Sequence, residues 1–73
     1  MFIRTVIVHK VVRIGKTATG ANRFRFYTDA GSINSKSDAQ YFRRENTDLD
    51  ILERLEGKSV NFRMMGTVIF EIV

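Results

Sequence analysis

The sequence predicts a small all-β, or β-rich α+β, domain of five strands with one helix between the third and fourth, and three observations lead there. Short stretches rich in Val, Ile, Phe and Thr alternate in polarity with the two-residue period of a strand. Five glycines and no proline punctuate them. One window alone, at residues 47–57, carries Leu and Ile at helical spacing between an acidic start and a glycine. A length of 73 residues leaves room for one domain, 1–73, and 44% hydrophobic residues with six Phe and two Tyr belong to a chain that folds.

Residues 2–14 read as one long strand. Phe2, Val6, Val8, Val12 and Ile14 share a face with Arg4 and Lys10, whereas Ile3, Thr5, Ile7, His9, Val11 and Arg13 share the other. Both faces mix polar with apolar residues, so a bulge near His9 is expected, swapping the faces beyond it. Residues 15–22 form a turn segment. Arg23 to Thr28 then alternates cleanly, with Phe24, Phe26 and Thr28 on one side and Arg23, Arg25 and Tyr27 on the other. Asp29 to Gly31 makes a tight turn into a short third strand, Ser32 to Ser35.

Ser37 or Asp38 is expected to cap a short helix reaching Arg44. A second helix starts at Thr47, with Asp50 three residues on as a short capping box; Leu49, Ile51, Leu52 and Leu55 follow, and Gly57 stops it. Lys58 to Met65 alternates again, Gly66-Thr67 turns, and Val68 to Val73 is the last strand. Five of those last six residues are apolar, an edge that needs a partner. Another strand of the same sheet would serve, and so would a second copy. A homodimer through this strand is therefore expected, which would also offset the small core of so short a chain.

Charge is distributed unevenly. The formal net charge is +4, and the sequence pI is about 10.0. Residues 1–28 carry Arg4, Lys10, Arg13, Lys16, Arg23 and Arg25 with no acid. Residues 45–56 carry Glu45, Asp48, Asp50, Glu53 and Glu56 against Arg54 alone. A positive end concentrates polyanions, and a negative one repels them.

Enzymatic chemistry finds little to use. Without cysteine there is neither a disulfide nor a thiolate zinc site, and the absence fits a reducing compartment. His9, the sole imidazole, reads as a surface or edge residue, so neither a metal nor any other cofactor is expected. Asp48 and Asp50 point in different directions on a helix and suit capping better than paired acid/base work. Gly15-Lys16-Thr17 is no phosphate loop, because Lys10 stands where the upstream glycine belongs. No apolar run approaches the ~20 residues a membrane span needs, and no secretory signal is apparent. The expectation is a cytoplasmic, non-enzymatic protein.

Three antiparallel strands, a helix and a closing hairpin resemble the OB fold, a five-stranded Greek-key barrel. Lys16 to Asn22 followed by Arg23-Phe-Arg-Phe-Tyr27 is similar to the loop-plus-aromatic-strand passage of bacterial and phage single-stranded-DNA-binding proteins. The resemblance implies an OB-like Greek-key barrel that binds single-stranded nucleic acid, DNA ahead of RNA, with little regard to sequence. Arg23, Arg25 and Tyr27 are the leading candidates: arginine forks onto phosphate, and tyrosine stacks on bases. Arg13, Lys16, Lys36 and Arg63, on neighbouring strands or loops, are expected to extend the basic track. The chain has no tryptophan, and Ser32 to Ser35 carries no ring, so Tyr27 is the stacking residue on this reading. Size and economy fit a phage or plasmid origin. The competing expectation is a phage- or plasmid-type inhibitor or adaptor that docks on a host protein through the same face, or through Tyr41 and Phe42.

Overall fold

The computed structural model describes residues 1–16, 22–43 and 45–73, for Lys16 and Asn22 the backbone alone. Of the turn expected over 15–22, residues 17–21 therefore lie outside the described residues, and Gly15, Lys16 and Asn22 belong to strands instead. Five strands close into a barrel: β1 (Phe2–Lys16), β2 (Asn22–Thr28), β3 (Gly31–Ser35), β4 (Ser59–Met65) and β5 (Val68–Ile72). Around the barrel they run β1-β2-β3-β5-β4, with β3 and β5 parallel and every other pair antiparallel. This is the OB-like Greek-key order, with the helix α1 (Leu49–Glu53) between β3 and β4 as expected.

Closure depends on β1 serving two partners. Phe2 to Ile7 pairs with β4 and Val8 to Lys16 with β2, and the register slips between Val8 and Lys10. The slip falls at His9, where a bulge was expected. It flips the inward parity from Val6 and Val8 to Val11, so one strand keeps a buried row through the bend.

A bend that changes partners strands backbone groups, and two acidic side chains take them up. The Ile7 N–H donates to Asp29 Oδ1 at 2.9 Å, and the Val11 N–H donates to Glu56 Oε2 at 2.9 Å. Between them the Val8 N–H reaches the Lys58 carbonyl at 3.0 Å, and the Gly57 N–H reaches the Val8 carbonyl at 2.7 Å. A further irregularity lies between Arg13 and Gly15, where Gly15 has a φ of +135°.

The β2–β3 hairpin turns through Asp29 and Ala30, with Thr28 opposite Gly31. Thr28 Oγ1 donates to the Gly31 carbonyl at 2.7 Å and accepts the Ala30 N–H at 3.0 Å, closing the turn from within. Where β2 and β3 diverge, the buried Ser35 hydroxyl accepts the Phe24 N–H at 3.0 Å. Phe24 and Phe26 are fully buried and meet the rings of Phe42 and Phe62 at centroid distances between 5.1 and 6.2 Å. Leu52 from α1 and Phe42 add to this core from outside the strands.

The connection from β3 to β4 departs from expectation. Among the described residues between Lys36 and Asn46 a single 3-10 turn forms, Gln40–Phe42, and the residue before it, Ala39, makes no side-chain cap; Arg44, the expected end of the helix, lies outside the described residues. Asp38 pairs with Lys36 instead of capping. The helix start also shifts by one residue. Asp48 is the cap, accepting the Leu49 N–H at 2.7 Å, while the buried Thr47 donates its hydroxyl to the Tyr41 carbonyl at 2.7 Å. Thr47 thus ties α1 to the preceding turn. The helix ends at Glu53, and tighter turns through Leu55 and Glu56 lead to Gly57, whose φ of +83° aims the chain into β4.

β5 is paired along both edges at its start. Met65 faces Val68 across a two-residue turn at Gly66 and Thr67, and Val68 and Ile69 face Asn34 and Ser35 of β3. Among the described residues no helix is long and apolar enough to cross a membrane.

Candidate nucleic-acid interface

Alternation along β2 divides its side chains as the sequence suggested. Phe24, Phe26 and Thr28 are buried. Arg23 and Arg25 are half-buried on the outer side, and Tyr27 is 41% exposed. Register then identifies the neighbours on this outer face. Tyr27 lies between Lys10 of β1 and Ser32 of β3, and Arg25 lies between Val12 and Asn34. The row through Arg25 continues across the barrel to Val68 of β5 and Met65 of β4. Lys10 was not among the sequence candidates because a bulge at His9 had to be placed before its face could be read.

No acidic residue occurs in β1, β2 or β3. Lys10, Arg23 and Arg25 form no ion pair with described residues. Among the described residues the Arg25 side chain makes one hydrogen bond, its Nε donating to Asn34 Oδ1 at 3.0 Å. Guanidinium carries only donors, so the Asn34 amide must present its oxygen to Arg25 and turn its NH2 elsewhere.

The outlying candidates do not join this face. Arg13 is paired with Phe24 in register, so it belongs to the core-facing row and passes beyond the barrel end. There it meets Asp48, Nη2 to Oδ1 at 2.5 Å, with the two side chains 35% and 46% exposed. A pair that open contributes at most about 1 kcal/mol, yet it spends the cation on the helix cap. Lys36 is engaged by Asp38, and this hydrogen bond and charge hold the Asp38 carboxyl below its ordinary range. Arg63 lies on β4, between Ile3 and Glu71, and its Nη1 is 3.5 Å from Glu71 Oε2. The Lys16 side chain lies outside the described residues; its backbone pairs with Asn22, next to Arg23. Of the seven candidates, therefore, Arg23, Arg25 and Tyr27 come together, and Arg13, Lys36 and Arg63 are each committed to a carboxylate of the same chain.

Two other features bear on what the surface can do. Phe42 is fully buried against Phe24 and Phe26, so it does not offer the docking ring expected of it alongside Tyr41. A cleft of about 380 Å³ lies between the 3-10 turn, α1 and β5, with Tyr41 and Phe70 in its lining. Its polar groups are largely spent on the fold: Asn46 Nδ2 donates to the Gln40 carbonyl, Thr47 to Tyr41, and Glu71 pairs with Arg63. Burial, together with the Glu71 carboxylate, raises the Tyr41 phenol above its ordinary range. Among the described residues no three His, Cys, Asp or Glu side chains gather as metal ligands would.

No family model, curated protein or solved structure matches this chain.

Proposed function

We propose that this chain is a non-enzymatic, cytoplasmic module that binds single-stranded nucleic acid, DNA ahead of RNA, on the outer face of β1, β2 and β3. The observation that supports the reading is the grouping of Lys10, Arg23 and Arg25 beside the exposed Tyr27 ring, on strands that contain no acid. Cations neutralise phosphates along an extended backbone and release its counterions. Tyr27 stacks on a base, a contact worth about 1–3 kcal/mol whatever the base.

Fluorescence polarisation with a labelled oligonucleotide of about 20 bases at two salt concentrations tests this. Nanomolar to micromolar binding that weakens steeply with salt is the expected result. Absence of binding at low salt would refute the proposal and favour a protein partner.

A further inference from the structure

The hydrogen bond from Arg25 to Asn34 sets the chemistry of the surface around it. Asn34 Oδ1 is occupied by Arg25 Nε, which leaves the Asn34 NH2 and the two terminal nitrogens of the guanidinium, all of them donors. An asparagine reads adenine by accepting from its N6 amine while donating to N7, and an oxygen already turned toward Arg25 disfavours that mode. Guanine presents two adjacent acceptors, O6 and N7, which the terminal fork of an arginine matches.

Neighbouring residues favour the same outcome. Val12 and Val68 flank the Arg25–Asn34 pair in the same row, so apolar side chains border the donors on both sides. Tyr27 is two residues further along β2 on the same face, a step of about 6.7 Å. That spacing allows one base to stack on Tyr27 while the next lies over Arg25.

We infer that Arg25, held by Asn34, discriminates guanine from adenine through O6 and N7, adding a base preference to otherwise sequence-tolerant binding. This rests on the proposed function above.

The test compares two labelled oligonucleotides of equal length and charge, repeats of dT-dT-dT-dG and of dT-dT-dT-dA, in lithium chloride to suppress guanine quartets. Affinity for the guanine repeat should be higher by about ten-fold. A third oligonucleotide carrying 7-deazaguanine, which lacks the N7 acceptor, should lose most of that advantage. Arg25→Lys keeps the charge but not the planar fork, so it should lower the ratio below that of the wild type. Equal affinity of the wild-type protein for all three would overturn the inference and leave nucleic-acid binding standing. Failure to bind any of them would overturn both.

Discussion

The salt dependence of binding should separate the cations that are available from those already committed. Each phosphate neutralised on a single strand contributes about −0.7 to the slope of log K against log salt. On an oligonucleotide without guanine, Lys10, Arg23 and Arg25, the three described cations on the outer face, predict a slope near −2, so affinity should fall about 18-fold between 50 and 200 mM salt. Lys10→Ala with Arg25→Ala removes two of the three, leaving a slope of about −0.7 and a fall of only about 2.6-fold over the same range. Arg13→Ala is the matched control. Its guanidinium lies 2.5 Å from Asp48, so its removal should leave the slope within about 0.3 of the wild type. Fluorescence polarisation at four or more salt concentrations gives the slopes, and circular dichroism confirms that each variant is folded. If Arg13→Ala flattens the slope as much as the double substitution, the division of cations by partner is wrong.

Three further outcomes concern the barrel itself. Phe24→Ala should cost about 3–5 kcal/mol in urea unfolding, since the ring is fully buried and packs on Phe42. Glu56→Ala leaves the Val11 N–H without its acceptor at the bend of β1 and should cost about 1–3 kcal/mol, with faster hydrogen exchange at Val11 than at Phe26; unchanged exchange would refute the bracing role. Tyr41, whose phenol is raised in the fold by burial and by Glu71, lends stability that is complete below the ordinary tyrosine value of 10.0 and lost as pH climbs through its folded value. Stability should therefore decline above about pH 10, and Tyr41→Phe should flatten the decline. Absorbance titration of Tyr27→Phe, in which Tyr41 is the remaining tyrosine, should give a midpoint above that of free tyrosine.

Much of the fold was legible because its strands obey the two-residue period closely. Phe24 and Phe26 against Arg23, Arg25 and Tyr27 needed no tertiary information, and the mixed faces of β1 called for a bulge near His9 without fixing its exact residue. Local propensity misled where long-range partners decided the outcome. Thr47 looked like the helix cap, but its hydroxyl was taken by the Tyr41 carbonyl and Asp48 served instead. Ser37 and Asp38 looked able to start a helix, yet Lys36 claimed Asp38, and burial of Ala39 and Phe42 held the segment to one turn.

The candidate face was only partly readable for the same reason. Period two places a side chain in or out, but it does not reveal which cation has an acid within reach. Arg13, Lys36 and Arg63 found theirs at the cap of α1, on the loop after β3 and on β5. Lys10 became visible only once the parity flip was fixed. The acidic stretch at 45–56, read as a repelling surface, turned out to supply the helix cap and one brace of β1 as well.

Dividing β1 between two neighbours has a bearing on the order of assembly. The contacts from Val8 to Lys16 with β2, and from β2 with β3, join segments close in sequence, so the entropy lost in bringing them together is small. The seam from Phe2 to Ile7 with β4 must recruit partners roughly fifty to sixty residues away, and so it comes late. The cationic surface belongs wholly to the early meander. A nascent chain would thus present Lys10, Arg23, Arg25 and Tyr27 in near-final register before the cylinder shuts, while the apolar inner side of the same meander stays open until the C-terminal hairpin arrives.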